Sequence, residues 1–407
     1  MGEDSNEGGR GKEIVEFDRD TIEREIRGRV REIIEQVVEA ELEAALGAKV
    51  SQRVERRQGY RHGYRERTLT TSVGPTQFNM PRARVEDRDG NRHEWRSRTV
   101  ARYERRSQRV DEAIVGVYLG GANTRRIRGA LAPLLRGAPL SKDAVSRLVG
   151  RLKEDFERWQ QRDLKDQKIR YLYMDGWYPK VRIDRKRVRV PVLVTLGTQE
   201  NGERAVIDLR IAGEESGASW GEVIKALVKR GIGVPELAVV DGNPGLAAAL
   251  QEQWKGIKIQ RCTNHKLRNL LAKAPARLRE ELAEDYRRMI YAESAKKVAE
   301  QREKFTKKWK LKCAAVISSL EEAGDDLFTF TKYPPSQWKA LRTTNAIERI
   351  NEEFRRRTKT QASLPNEDAV VLLMYGLLCS GQIRLRRMVG WKDIPRSGSA
   401  IAIAEAA

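Results

Sequence analysis

Cysteine and histidine are nearly missing from this chain, with three of each in 407 residues. Cys262, Cys313 and Cys379 are an odd set without framework spacing, which excludes a disulfide-stapled fold and fits a reducing cytoplasm. The Cys-x-x-His pair, Cys262 and His265, supplies only half of a structural zinc site, and His62 and His93 lie far off in sequence. Long apolar runs are missing too. The longest, Ala369 to Cys379, is far too short to span a bilayer, so no membrane partner is expected. The opening residues, Met-Gly-Glu-Asp-Ser-Asn-Glu, are acidic and polar, and no secretory signal is expected. Acid is the scarcer charge: 58 Asp and Glu against 79 Lys and Arg leave a formal +21, a field that attracts polyanions. Nucleic acid is therefore the first partner to consider. The length allows about two to four domains and a sizeable core.

What is present changes texture along the chain. Residues 1–20 have no apolar period and are expected to be a disordered tail. From Thr21, Ile22, Ile26, Val30, Ile33, Ile34, Val37, Val38, Leu42 and Leu46 recur at helical steps, predicting an amphipathic helix to about Gly47, which serves either as a core helix or as a dimerisation or DNA-packing helix. It opens an N-terminal module, residues 21–98, whose second half is basic and β-rich, with strand-like segments around Val73-Gly-Pro75 and Gln77 to Met80. There Arg61 and Arg65 interleave with Tyr60 and Tyr64, a pattern in which rings stack on bases or sugars while guanidinium groups neutralise phosphates. A solvated face is the plainer alternative.

Within residues 99–165, three helices are predicted: Val110 to Leu119, Asn123 to Leu135, and Lys142 to Trp159 with Ser141 as its cap. This outlines a helix-turn-helix-like unit whose last helix would bring Lys142, Ser146 and Arg147 to bases or phosphates. Arg125 and Arg126, on the helix before it, are assigned to DNA as well.

Residues 166–273 read as strands at Ile169 to Met174, Arg187 to Leu196 and Ala205 to Ile211, with Asn201-Gly202 as a hairpin turn. A helix from Ser219 to Lys229, a strand from Glu236 to Val240, a helix from Pro244 to Gln253 and a strand from Ile257 to Arg261 follow. That order is the one of a ribonuclease H-like α/β core. Residues 274–339 carry helical periodicity alone and are expected to be an all-helical insertion, closed by Pro334-Pro335. In residues 340–380 the core resumes with a helix from Thr343 to Lys359 and a last apolar helix from Asp368 to Leu378. Residues 381–407 are expected to be a basic, flexible tail.

Two strand-like runs end in Asp followed by Gly, at Asp175-Gly176 and Asp241-Gly242, and the helix from Thr343 carries Glu348. Two acids at strand ends and one on a helix can converge, and hard oxygen ligands suit Mg²⁺ or Mn²⁺. Asp before Gly is also a common turn device. Glu352 shares the helix face of Glu348 and competes with it, whereas Glu353 points away. Asn345, Arg349 and Asn351 are placed to orient ligands or touch phosphate. Trp338 could stack on an unpaired base or be a core ring.

The runs Met174-Asp-Gly-Trp177, Val240-Asp-Gly-Asn243, Arg261-Cys-Thr-Asn-His-Lys266 and Thr343-Thr-Asn-Ala-Ile-Glu-Arg-Ile-Asn351 resemble the mutator-type insertion-sequence transposases, prokaryotic DDE enzymes related to the eukaryotic Mutator elements. Gly63-Tyr-Arg-Glu-Arg-Thr-Leu69, Pro81-Arg82 and Thr124-Arg-Arg-Ile127 extend the resemblance over most of residues 50–380. It implies that Asp175, Asp241 and Glu348 are the catalytic and metal-binding acids for two Mg²⁺ or Mn²⁺ ions. Cys262 and His265 would support the active site rather than bind metal. The implied activity is binding of double-stranded DNA at the element's terminal inverted repeats, strand cleavage and transfer to target DNA by a homodimer or larger assembly. The implied location is a prokaryotic cytoplasm, on the nucleoid when DNA-bound. A ribonuclease H-like nuclease without strand joining, or an inactive DNA-binding descendant, would share many of these features.

Overall fold

The computed structural model describes residues 19–55, 57–87, 90–120, 122, 124–183, 186–360 and 366–394. It divides into two units, one holding residues to Tyr118 and Thr124–Leu148, the other Leu119–Asn123 and the chain from Val149. The tail expected at residues 1–20 lies outside the described residues up to 18, as does the Ser397 to Ala407 end.

In the first unit, helix α1 (Arg19–Leu46) lays Val38, Leu42 and Leu46 on an antiparallel sheet of β1 (Gly59–Thr71), β2 (Gly74–Glu86) and β3 (Arg92–Glu94). Phe78 and Met80 on β2 join Val38, Leu69 and Val100; Ala83 and Val85 join Leu42 and Leu46. Of the strand expected around Val73-Gly-Pro75, Gly74 and Pro75 open β2 opposite Thr71 and Thr70, and only Ser72-Val73 form the β1–β2 turn, which the positive φ of Gly74 (+103°) helps to close. The carboxylate of Glu41 accepts from the Ser97 hydroxyl (2.6 Å) and the Arg98 amide, fastening the loop after β3 to α1.

Helices α2 (Gln108–Leu119), α3 (Thr124–Ala130), α4 (Ala132–Leu135) and α5 (Lys142–Gln161) follow. The single helix expected from Asn123 to Leu135 is two. Leu131 leaves helical geometry and Pro133, which has no N–H to give, starts a new first turn. The Ser141 hydroxyl oxygen accepts from the Ala144 amide (3.1 Å), capping α5.

The second unit is built on β4 (Ile169–Trp177), the β5 (Lys180–Ile183) and β6 (Lys186–Arg189) hairpin, β7 (Val192–Gln199) and β8 (Arg204–Ile211). Helix α6 (Gly217–Lys229), β9 (Leu237–Val240), α7 (Pro244–Gln253), β10 (Lys258–Arg261) and α8 (Thr263–Lys273) complete its first part. The strand expected from Arg187 to Leu196 is broken at Val190-Pro191, where proline cannot donate to a ladder, and its first half pairs with β5 in a separate sheet. The main sheet has the order β10-β9-β4-β7-β8, with β4, β9 and β10 parallel and β7 and β8 antiparallel. Leu172 and Met174 of β4 pack into the core under α6 and α7, and period-2 alternation turns Tyr171, Tyr173 and Asp175 to the opposite face.

The helices α9 (Arg279–Ile290), α10 (Ala295–Lys312) and α11 (Ala314–Ala323), then short turns and α12 (Trp338–Leu341), separate this sheet from α13 (Asn345–Thr360) and α14 (Asp368–Cys379). Helix α13 packs on β4, with the Phe354 ring 5.7 Å from Trp177, and α14 packs on β8. Residues 381–394, expected to be a flexible tail, are folded onto this unit. Ile383, Met388 and Ile394 are buried, the Met388 amide donates to the Gly202 carbonyl (2.8 Å), and the Ser336 hydroxyl donates to Asp393 (2.6 Å). No helix among the described residues is long and apolar enough to cross a membrane.

Candidate active site

The parallel pairing of three neighbouring strands stops at one level, while β4 alone runs on to Trp177 beside β7, so the strand expected to end at Met174 carries Asp175 within it, opposite Val194. Met174 pairs with Val240, and Val240 with Arg261, so the residues that follow, Asp175, Asp241 and Cys262, emerge at one edge. Asp241 leaves its strand in a tight turn in which its Oδ1 accepts from the Asn243 amide (2.9 Å), and Asn243 caps α7 through its own side chain. The Cys262 amide donates to the Val240 carbonyl (2.7 Å), and Cys262 is the N-cap of α8.

The third acid arrives on a helix stitched to α8. The Thr344 amide and hydroxyl donate to Cys262 Sγ (3.4 and 3.5 Å), the Thr263 amide and hydroxyl donate to the Arg342 carbonyl (2.9 and 3.0 Å), and Asn264 donates to Asn345 (2.8 Å). These bonds fix the first turn of α13, where Glu348 sits. Arg268 holds its Oε1 at 2.8 Å, and His265 Nε2 lies 3.9 Å away.

Burial is the main cause that pushes the Asp175 carboxyl up to about 7; Asp241, Glu215 and Glu348 add repulsion, and His265 opposes it. His265 is raised to about 9, chiefly by the Cys262 thiol beside it. Burial pushes that thiol up, but His265 and Thr344 outweigh it and leave it below its ordinary range. Among the described residues, no three His, Cys, Asp or Glu side chains already close on one point as ligands of a single ion.

Glu215 is a fourth carboxylate here, and no sequence pattern announced it. It sits over Gly176, where an added Cβ would lie 2.2 Å from its Oε2, and accepts from the Tyr178 hydroxyl (2.5 Å) and the Trp220 indole N–H (3.3 Å). The only sequence signal was Gly176, a position that something approaches closely. Arg268 and Thr344 were also missed, because their roles depend on the docking of α13 against α8.

The other candidate residues fall into distinct groups. Glu352 is exposed, while Glu353 pairs with Arg356 (2.8 Å) along its own helix. Asn345 and Arg349 are exposed beside Glu348, whereas Asn351 is buried. Trp338 is a core ring: buried, it donates from its indole to the Tyr333 carbonyl (2.7 Å) and packs edge-on against Phe330, so it is not available for base stacking. In the first unit, Tyr64, Arg65, Arg125, Arg126, Lys142, Ser146 and Arg147 are exposed. Arg61 is not: only 16% exposed, it is held by Glu39 and braces α1 to β1.

The chain matches the model of the family described as Transposase, Mutator family, over residues 11–383, and it belongs to that family. It is 30% identical over 305 residues to the transposase for insertion sequence element IS905 of Lactococcus lactis, covering 75% of each chain. Over 311 residues it is 29% identical to the transposase for ISRM5 of Rhizobium meliloti, covering 76% of each. It is 28% identical over 315 residues to the transposase for IS256 in transposon Tn4001 of Staphylococcus aureus, covering 77% of this chain and 78% of that one. A solved Drosophila P element transposase strand transfer complex aligns with 73% of this chain and 84% of that chain at 11% identity. Its TM-score is 0.28, too low for the likeness to bear on the fold.

Proposed function

We propose that this chain is the transposase of an insertion sequence: it binds the element's terminal inverted repeats, hydrolyses a phosphodiester to free a 3′-hydroxyl, and joins that end to target DNA by direct transesterification. The observation that carries the reading is the placement of Asp175, one residue past the last β4–β9 pair, beside Asp241, which follows β9, and Glu348, on a helix bonded to the next strand's cap, all near enough for Asp241 and Glu348 to repel the Asp175 carboxylate. The strand order β10-β9-β4-β7-β8, interrupted by helices before the third acid, supports a ribonuclease H-like core.

The donor set suits Mg²⁺ or Mn²⁺. All three groups are hard oxygen ligands, and the repulsion felt by Asp175 from its acidic neighbours is what a divalent cation would offset. Asp175, Asp241 and Glu348 would hold two ions, which when bound would activate the attacking water or 3′-hydroxyl and steady the leaving oxygen. The chain's own groups prepare that site. Burial of Asp175 excludes water, while Arg268 and the charged form of His265 hold Glu348 in place. Thr344 and the low-lying Cys262 thiol pin the helix that carries it. On the first unit, exposed Tyr64, Arg65, Arg125, Arg126, Lys142, Ser146 and Arg147 would meet backbone phosphates and bases. Two copies would hold two element ends.

The test is strand nicking and joining by the purified protein on DNA carrying its own element ends, with Mg²⁺ or Mn²⁺ against chelator. Metal-dependent joined product is expected. Nicking alone would move the reading to a nuclease without strand joining, and binding with neither product to an inactive descendant.

A further inference from the structure

Helix α1 has two apolar faces; the first unit buries one and borders the other only near Ile26, which lines a cavity with Val73, Pro133 and Leu134 beside the Glu23–Arg136 pair. Val38, Leu42 and Leu46 are fully buried on β2. Ile22, Ile26, Ile33 and Val37 are 59, 45, 56 and 42% exposed. At about 100° per residue these four fall within about 60° of one another, roughly 140° round the helix from Val38 and Leu42. Four β-branched side chains aligned on an otherwise charged helix form a seam rather than scattered surface residues.

The seam has a symmetry that selects its occupant. The pairs Ile22/Val37 and Ile26/Ile33 share one midpoint, between Arg29 and Val30. A two-fold axis at that midpoint maps the stripe onto itself in reverse, placing Ile22 of one copy against Val37 of the other and Ile26 against Ile33. An isologous contact requires this self-complementarity. Charge chooses the same orientation. From Arg19 to Arg31 the helix carries five arginines against three acids, and from Glu32 to Leu46 five glutamates and no base. Antiparallel pairing sets the basic half against the acidic half and opposes the two helix dipoles; parallel pairing would stack the glutamates on one another. Three of those glutamates are engaged at home, since Glu35 accepts from the Asn79 amide, Glu39 holds Arg61 and Glu41 holds Ser97 and Arg98, so the acidity that half offers a partner comes from Glu32 and Glu43.

We infer that α1 is the dimerisation helix of this protein, and that a second copy of the chain covers Ile22, Ile26, Ile33 and Val37 by antiparallel packing about the Arg29–Val30 midpoint. The inference rests on the reading that two DNA ends are held together, but its test uses neither DNA nor metal, so the two fail separately.

Sedimentation of the full-length native chain is expected to show a dimer. Ile33→Glu puts a charge in the seam and is expected to raise the dissociation constant at least about tenfold. Its thermal melt should stay unchanged, since the residue is exposed within its own unit; Ile22→Glu, at the most exposed seam position, is an independent second variant. Orientation is read by oxidising an equal mixture of Ile26→Cys and Ile33→Cys chains of distinguishable mass, against the parent chain because Cys379 is exposed. Disulfides between unlike chains are expected. A monomeric native chain, a dimer untouched by both glutamates, or Ile26→Cys chains that link to their own kind would overturn the proposal.

Discussion

Arg82 and Glu94 of the first unit meet at 3.2 Å with side chains 47 and 46% exposed, whereas Asp208 and Arg230 of the second meet at 3.0 Å with 1 and 7% exposed. The same residue types thus serve opposite ends. In the first unit arginines mostly line solvent-facing strands and helices, where a pair contributes about 1 kcal/mol at most and leaves its charge free to meet phosphate. In the second, charges are drawn inward. Arg230 also donates to the Ile207 and Arg162 carbonyls, tying α6 to β8 and to the approach to β4, and burial raises the Asp208 carboxyl despite both arginines beside it. An exposed arginine keeps its charge for whatever meets the surface, while a buried one spends it on holding elements of its own unit together.

The largest effect that could break this comparison concerns the third acid. Glu348→Gln is expected to lower strand joining at least about a thousandfold, the loss of several kcal/mol of metal-assisted stabilisation, with DNA affinity kept. Glu352→Gln should stay within about threefold; the reverse order in a joining assay would move the acid one turn along α13. Next comes the buried pair. Arg230→Met should cost about 3–5 kcal/mol in denaturant unfolding, against under about 1 kcal/mol for Arg82→Met. Equal costs would erase the distinction between the units.

A smaller effect separates a buried acid from a solvated one by pH. Asp175 binds its proton up to about 7 in the folded chain but only to its ordinary 3.8 when unfolded. Between those values the folded state holds more protons, so metal-free stability falls as pH rises through that window. Asp175→Asn should flatten the fall by about 2 kcal/mol between pH 5 and 7, measured by thermal or denaturant melts. The smallest effect lies on the first unit. Arg65→Gln should reduce the slope of log affinity against log salt by about one, whereas Arg61→Gln should leave the slope alone and lower stability, because Glu39 already holds that guanidinium.

The placement of Asp175 and Asp241 was legible because each follows an apolar strand run with the same Asp-Gly step, although β4 runs on past its Asp to Trp177, and that of Glu348 because its helix has a strong period. Glu215 was not. It reaches the site from a loop, and nothing in Gly213-Glu-Glu215-Ser says which sheet edge that loop covers. Pro191 hid the β5–β6 hairpin by splitting a run that looks continuous. The 381–394 segment misled because its burial comes from a partner distant in sequence, Gly202, and Trp338 because its near neighbours Phe330 and Tyr333 fold back over it in short turns that carry no period. Local pattern fixes elements; it does not report which surfaces those elements cover.

The most direct measurement compares native protein with Asp175→Asn on DNA carrying the element's ends, following joined product and binding together in Mn²⁺. Joined product is expected from the native chain, none above the chelated control from the variant, and equal binding by both. Joined product from Asp175→Asn at the native rate would contradict the role given to Asp175.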